Sequence, residues 1–140
     1  MATIKEKEQE VIEEFELFDD WMDKYNYIID LGKALPGIDE SNREDKYLIK
    51  GCQARVWLLA EYKDGKVMYS ADSDALITRG IIALLVRVLS GQAPADIVEA
   101  DMSFIDRIGL KEHLSATRSN GLLNMIKQMK LYALAFQQKN

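Results

Sequence analysis

The chain has one cysteine and one histidine among its 140 residues, and this scarcity limits its chemistry. One cysteine cannot form an internal disulfide, and a single Cys and His cannot build the usual zinc site. The lack of a second thiol also excludes a dithiol oxidoreductase, because nothing in the chain could resolve a modified Cys52. Any group that Cys52 carries must therefore be removed by another molecule.

Long apolar runs and an excess of positive charge are also missing. The longest apolar run, residues 81–86, is far too short to cross a bilayer. The N-terminal segment, residues 1–14, is charged throughout and does not resemble a signal peptide. The net charge of −5 disfavours binding to phosphate backbones. We therefore expect a cytoplasmic protein, in a reducing compartment, that binds neither membranes nor nucleic acid.

The composition predicts a single globular domain over residues 1–140. Hydrophobic residues make up 48% of the chain, which excludes a disordered protein and provides enough apolar side chains for a core. No EF-hand spacing and no glycine-rich phosphate loop is present.

Residues 54–72 carry the strongest local signal, that of a β-hairpin. Asp64-Gly65 is a two-residue turn of the type that joins antiparallel strands. With Lys63 opposite Lys66, one face of the hairpin becomes apolar. The pairs on that face are Tyr62–Val67, Ala60–Tyr69 and Leu58–Ala71. A short further strand is predicted near residues 47–50.

Helices are predicted on both sides of this hairpin. Thr3 and Glu6 fit a capping box. Residues 75–90 are apolar nearly all round, which is typical of a central buried helix, and Asp72-Ser73-Asp74 are its N-cap candidates. A last amphipathic helix is expected over residues 120–137. The predicted fold class is α+β, with a small antiparallel sheet packed against helices.

Cys52 lies at the entrance to the hairpin, between Gly51 and Gln53 and after a polar loop. A thiol held by backbone on both sides can still meet a partner, which suits a reactive cysteine. The competing interpretation is a small buried apolar side chain. Arg55 and Arg118 are the cationic residues that are candidates to stabilise the Cys52 thiolate. Alternatively, Arg55 faces solvent from its strand and Arg118 fixes the loop before the last helix.

His113 opens a second alternative, because a cysteine and a histidine together can form a hydrolase dyad. A cysteine hydrolase that uses Cys52 and His113 would turn over an ester or amide unaided. The competing interpretation is a structural histidine in a connecting segment. A third class is a non-catalytic binding module in which Cys52 only packs.

Four stretches together resemble the SufE family of sulfur-acceptor proteins, which includes CsdE-like members. They occur in the family's order and cover nearly the whole chain. They are residues 51–57, the cysteine motif Gly-Cys-Gln-Ala-Arg-Val-Trp; Asp72-Ser73-Asp74-Ala75 with Arg79-Gly80; Leu110, His113-Leu114 and Arg118-Ser119 with Gly121; and Tyr27-Ile28-Ile29 with Leu31-Gly32 and Leu35-Pro36. One departure is Ala54, where a serine is common in the family.

The resemblance implies a function and a fold. Members of the family accept sulfur from a pyridoxal-phosphate-dependent cysteine desulfurase, SufS-like or CsdA-like, and pass it to iron–sulfur cluster assembly on a SufB-type scaffold complex. They stimulate the desulfurase without being enzymes themselves, and their fold resembles that of the IscU scaffold. The pyridoxal phosphate resides in the partner, so no bound cofactor or metal is expected here.

The resemblance also assigns roles to residues of this chain. The family's persulfide-forming cysteine falls on Cys52. The supporting or partner-docking residues implied by the matching motifs and their neighbourhood are Gly51, Gln53, Arg55, Asp74 and Arg118.

Overall fold

The β-hairpin that Asp64-Gly65 predicts is present in the computed structural model, which describes residues 2–139 of the chain. Its strands are β1, Val56–Lys63, and β2, Lys66–Ser73. Their register is the predicted one, with Lys63 opposite Lys66. Asp64 and Gly65 both have positive φ, 52° and 78°, which is the backbone geometry of a type I′ turn. The predicted hairpin is therefore confirmed.

Seven α-helices accompany this sheet in the described part of the chain, so the α+β prediction is confirmed. They are α1 (Ile4–Phe15), α2 (Trp21–Ala34), α3 (Leu76–Leu89), α4 (Pro94–Glu99), α5 (Phe104–Arg107), α6 (Leu110–His113) and α7 (Ala116–Lys139). The capping box forms as expected, because Thr3 Oγ1 accepts from Glu6 N while Glu6 Oε1 accepts from Thr3 N.

The short strand predicted near residues 47–50 does not form. Asp45–Tyr47 is a 3₁₀ turn, and this segment meets β1 through one bridge, between Leu48 and Trp57. Gly51 follows directly with a φ of 84°, a left-handed conformation that turns the chain away from the sheet. The tight turn before Cys52 therefore limits pairing to a single bridge.

The outer edges of the hairpin are partly occupied by other parts of the chain. On the β1 side, Tyr132 Oη donates to Leu58 O at 3.4 Å. On the β2 side, Tyr69 N donates to Ser90 Oγ at 2.9 Å, and the backbone at Gln92 bridges to β2. These contacts use backbone groups that an open strand edge would leave unpaired.

Helix α3 lies at the centre of the core and crosses α2 at very short distance. Ten of its residues are buried, including Ile81, Leu84 and Leu85. At the crossing two glycines face each other, and a Cβ on Gly32 would come 2.6 Å from Gly80 N. The backbones can approach this closely only because neither residue has a side chain.

The prediction that Asp72, Ser73 or Asp74 caps α3 is wrong. The N-cap residue is Ala75, and no side chain caps it. Asp72 is instead almost fully buried and forms ion pairs with Arg79, at 3.0 Å, and Arg43, at 2.7 Å. Two guanidinium groups satisfy this carboxylate better than one backbone N–H at a cap would. Asp72 therefore ties the loop that carries Arg43 to the hairpin and α3.

Helix α7 is longer than predicted and forms one wall of the core. It begins at Ala116 rather than at residue 120. Ser115 directly precedes the helix, and its Oγ accepts a hydrogen bond from Arg118 N at 3.2 Å. Met125 and Met129 are buried in the core, as their spacing predicts. Neither this 24-residue helix nor any other within residues 2–139 has an apolar stretch long enough to span a bilayer.

Candidate functional site

The loop before β1 is held against α7 by a contact that requires glycine at position 51. Asn124 Nδ2 donates to Gly51 O at 3.1 Å. The same amide fills the space where a Cβ on Gly51 would lie, and the left-handed φ of Gly51 also disfavours other residues. Gly51 therefore sets the backbone that presents Cys52.

The Cys52 thiol is half-buried against the same helix. Its Sγ lies 3.6 Å from Gly121 O, within hydrogen-bonding distance for a thiol donor. A Cβ on Gly121 would also lie 3.6 Å from Sγ, so any larger side chain there would fill the space beside the sulfur. Burial raises the pKa of the Cys52 thiol, because desolvation disfavours the thiolate.

A cavity of about 380 Å³ opens beside this sulfur. It lies between residues 51–55, which we call the cysteine loop, the start of α3 and the first turns of α7. It has both polar and apolar walls, formed by Cys52, Gln53, Ala54, Asp74, Ala75, Thr78, Ile81, Thr117, Arg118, Gly121 and Met125. A small group attached to Sγ, or the end of a partner's side chain, can be accommodated here.

Asp74 and Ser73 connect the start of β1 to the start of α3. Asp74 Oδ1 accepts from Arg55 N at 3.1 Å. Ser73 Oγ donates to Arg55 O at 2.8 Å and accepts from Ala75 N at 3.3 Å. These bonds fix the backbone on both sides of the cavity mouth, which explains why acidic and hydroxyl residues stand here without capping the helix.

The two arginine candidates are placed differently. Arg118 lines the cavity and is the only basic residue among its described walls. Its Nη1 lies 3.5 Å from Tyr25 Oη. The Arg55 side chain is exposed and is not part of the cavity wall. Of the two arginine candidates, Arg118 is therefore the one that lines the cavity.

His113 is not brought to Cys52. Its ring stacks on Trp21 with centroids 4.1 Å apart. His113 Nδ1 lies 2.9 Å from Gly109 O, and because a carbonyl only accepts, that nitrogen is the donor. The residue is also absent from the walls of the Cys52 cavity. The arrangement needed for a cysteine–histidine dyad is therefore not present.

Asn124 was missed by sequence reasoning. It stands in the predicted last helix, at a position that no motif marks. Its only sequence signal is an amide side chain three residues after Gly121. That signal is weak, because the contact with Gly51 joins residues 73 positions apart. Only the tertiary structure shows that it anchors the cysteine loop.

We expect the pH profile of thiol alkylation to report this burial. Iodoacetamide reacts with the thiolate, so the raised pKa should move the midpoint of the folded chain to more alkaline pH and slow labelling at pH 7. The chain unfolded in urea is the matched control, since Cys52 is its only thiol. A folded midpoint at or below the unfolded one would contradict the burial of Cys52.

Comparison with known families and proteins identifies the family of the chain. Residues 9–133 match the family model described as SufE: Fe-S metabolism associated domain. An uncharacterized SufE-like protein of Rhizobium meliloti is 36% identical, over 86% of this chain and 90% of its own length. One from Synechocystis is also 36% identical, over 97% of this chain and 86% of its own length.

Two further matches extend the comparison. The Arabidopsis thaliana protein named SufE-like protein 1, chloroplastic/mitochondrial is 36% identical over 95% of this chain, which spans 36% of that longer protein. The solution structure of a hypothetical protein from Thermus thermophilus superposes with a TM-score of 0.76 at 18% identity, covering 92% of this chain and 94% of that one. That likeness shows a shared fold. The chain belongs to the SufE family and has a role in Fe–S metabolism.

Proposed function

We propose that this protein is a sulfur acceptor. Cys52 takes sulfane sulfur from a pyridoxal-phosphate-dependent cysteine desulfurase, holds it as a persulfide, and passes it to iron–sulfur cluster assembly on a SufB-type scaffold. The observation that carries the proposal is the placement of the only cysteine, half-buried at the wall of a cavity of about 380 Å³. Family membership supports the same role.

The transfer is a thiol exchange that balances without any oxidant or reductant. The Cys52 thiolate attacks the outer sulfur of a persulfide on the desulfurase, and a new S–S bond forms to Cys52 Sγ. The bond between that outer sulfur and the desulfurase cysteine breaks, and the cysteine leaves as a thiolate. The outer sulfur retains its proton. Thiolate fraction, leaving-group pKa and access set the rate.

Activation of Cys52 has to overcome its burial. Because desolvation raises the thiol pKa, little thiolate is present in the free protein at neutral pH. Arg118 is the cation in the cavity, and a guanidinium near the sulfur would favour the charged form. We propose that Arg118 stabilises the thiolate when the partner is docked. The free protein then stays unreactive towards unrelated electrophiles.

The cavity also suits the protection of a persulfide. Ile81 and Met125 form apolar walls beside Cys52, and a persulfide turned toward them is shielded from reductants in water. Gln53 and Asp74 stand at the polar wall, where a docking partner can reach them. We propose that Gly51, Gln53, Arg55 and Asp74 support the loop or contact the partner.

The proposed role divides the chemistry between proteins. Breakage of the cysteine C–S bond takes place on the pyridoxal phosphate of the desulfurase, so this chain is a carrier and activator rather than an enzyme and needs no cofactor of its own. A free thiol that must stay reduced suits the cytoplasm, and we propose that location.

The test is the intact mass of the protein after incubation with a cysteine desulfurase, pyridoxal phosphate and cysteine. Wild type should gain one sulfur, about 32 Da, and raise the desulfurase rate. The matched control, Cys52→Ser, should do neither, because a serine hydroxyl cannot form a persulfide. If the serine variant stimulates the desulfurase and delivers sulfur as well as wild type, the proposal is wrong.

The same experiment separates the two alternatives. A binding module in which Cys52 only packs predicts that Cys52→Ser is functionally silent. A hydrolase predicts turnover of an ester or amide without a desulfurase, and the position of His113 on Trp21 and Gly109 already disfavours it.

A further inference from the structure

A groove runs along the side of α7 next to the cysteine loop. It consists of two cavities of about 360 Å³ each that share Lys127 and Leu131 as walls. One lies between α7 and residues 46–50, and the other lies between α7 and α4. We call this surface the α7 groove and define it by Lys46, Lys50, Leu123, Lys127, Leu131 and Leu134.

The floor of the α7 groove exposes large apolar side chains. Leu123, Leu131 and Leu134 are 48%, 47% and 39% exposed. With Lys127 they follow one another at intervals of four, four and three residues, which places them along one side of a helix. Leucines exposed together in this way mark an interaction surface more often than isolated exposed leucines do.

The rim of the α7 groove is positively charged, although the chain as a whole is acidic. Four lysines and no acidic residue are among the described walls of the two cavities, in a chain with 23 acidic and 18 basic residues. Lys50 and Lys127 are exposed and form no ion pair with any residue that the structure describes. Lys46 pairs with Glu44 at 3.6 Å and Lys130 donates to Ala100 O, so Lys50 and Lys127 are the lysines available to an acidic partner.

The α7 groove is continuous with the proposed site of sulfur exchange. Lys50 directly precedes Gly51 in the chain. Asn124 belongs to the wall of the groove and donates to Gly51 O, the anchor of the cysteine loop. Gly121, three residues before Asn124 on the same helix, contacts Cys52 Sγ. A partner in the groove would therefore lie beside the hydrogen bond that holds the thiol in place.

We propose that the α7 groove docks an acidic amphipathic helix of the protein that donates sulfur to Cys52. The inference rests on the sulfur-acceptor function proposed above and adds how the donor is recognised. From Leu123 to Leu134 the apolar row is roughly 16 Å long, enough for about three turns of a partner helix. Its leucines would bury the partner's apolar face, and Lys50 and Lys127 would pair with flanking carboxylates.

The first experiment measures binding alone. The probe is a fluorescent amphipathic peptide of about 15 residues with leucines on one face and glutamates beside them, stapled to stay helical. We expect fluorescence anisotropy to show binding that salt weakens. The same peptide with lysines in place of the glutamates should bind about tenfold more weakly.

Charge reversal in the groove identifies the site. Lys127→Glu should weaken binding of the glutamate peptide about tenfold. The matched control is Lys33→Glu, which makes the same charge change on an exposed position of α2 outside the groove. Equal binding of the two peptides, or equal effects of the two variants, would overturn the proposal.

The second experiment measures sulfur loading from two donors. With a desulfurase at low concentration, Cys52 of the Lys127→Glu variant should gain sulfur about tenfold more slowly than wild type. With glutathione persulfide, which carries no docking helix, the variant should gain sulfur as fast as wild type. In that control reaction the outer sulfur moves to Cys52 and glutathione leaves as a thiolate. Unchanged loading of Lys127→Glu from the desulfurase would also overturn the inference.

The two proposals fail in different ways. If wild type gains sulfur from neither donor, the sulfur-acceptor function is wrong, whatever the peptides do. If wild type gains sulfur from both and Lys127→Glu behaves like Lys33→Glu, the acceptor function stands and the docking helix is wrong.

Discussion

Asn124→Ala is expected to expose the Cys52 thiol without unfolding the protein. The substitution removes the donor to Gly51 O, a bond of 3.1 Å that joins the cysteine loop to α7. Loss of one such bond costs about 1 kcal/mol, so the population with a detached loop should rise roughly fivefold. Labelling by a bulky maleimide, which needs the detached loop, should accelerate by the same factor.

The matched control is Asn120→Ala, one turn earlier on α7. It deletes the same kind of side chain from an exposed position, whereas the hydrogen bond to Gly51 O comes from Asn124. Thermal melting followed by circular dichroism should show both variants folded at the labelling temperature. Equal maleimide rates for the two variants would mean that Asn124 does not hold the loop.

Gly80→Ala should destabilise the protein by about 3 kcal/mol, in the upper part of the range for overpacked cores. A Cβ at Gly80 would collide with Ile28 O, a backbone atom of α2 that cannot rotate away. The two helices would have to separate, which disturbs the central packing of α3. The midpoint of urea unfolding should fall, and the melting temperature should drop by roughly 10 °C.

The sign of the change makes this test decisive. Alanine is favoured over glycine inside a helix by about 1 kcal/mol, so propensity alone predicts that Gly80→Ala stabilises α3. The control Leu76→Ala lies on the same helix, where the side chain is 63% exposed, and should change stability by less than about 0.5 kcal/mol. A Gly80→Ala variant as stable as wild type would show that α2 and α3 can separate at little cost.

The hairpin could be predicted because its signals are local. The two turn residues and the alternation on either side fix every pair within a stretch of fewer than 20 residues. The extent of pairing near Leu48 could not be predicted from local signals, because it depends on how Gly51 turns the chain. Local sequence therefore predicted the pairing within the hairpin but overestimated the extent of pairing near Leu48.

The candidate site was only partly predictable. Cys52 could be identified from its rarity and its flanking residues. The groups that surround it come from α7, and the contact between Cys52 and Gly121 O joins residues 69 positions apart. No periodicity in the sequence specifies which side of α7 meets the loop. Asn124 was therefore missed for lack of any long-range information.

The second matching motif has a largely structural explanation. Asp72 binds Arg79, and Gly80 provides the close approach of α2 to α3. The cap prediction was wrong because it considered only the neighbours of Asp72 in sequence, whereas Arg43 reaches the same carboxylate from a distant loop. Asp74 differs from these residues, since it lines the Cys52 cavity.

The occupied margins of the hairpin affect how this protein behaves at high concentration. Two-stranded sheets with unpaired backbone invite strands from neighbouring molecules and are starting points for aggregation. Here Tyr132, Ser90 and the segment at Gln92 already use that backbone. These contacts leave less of the strand edge open to β-strand pairing between copies of this protein in a crowded cell.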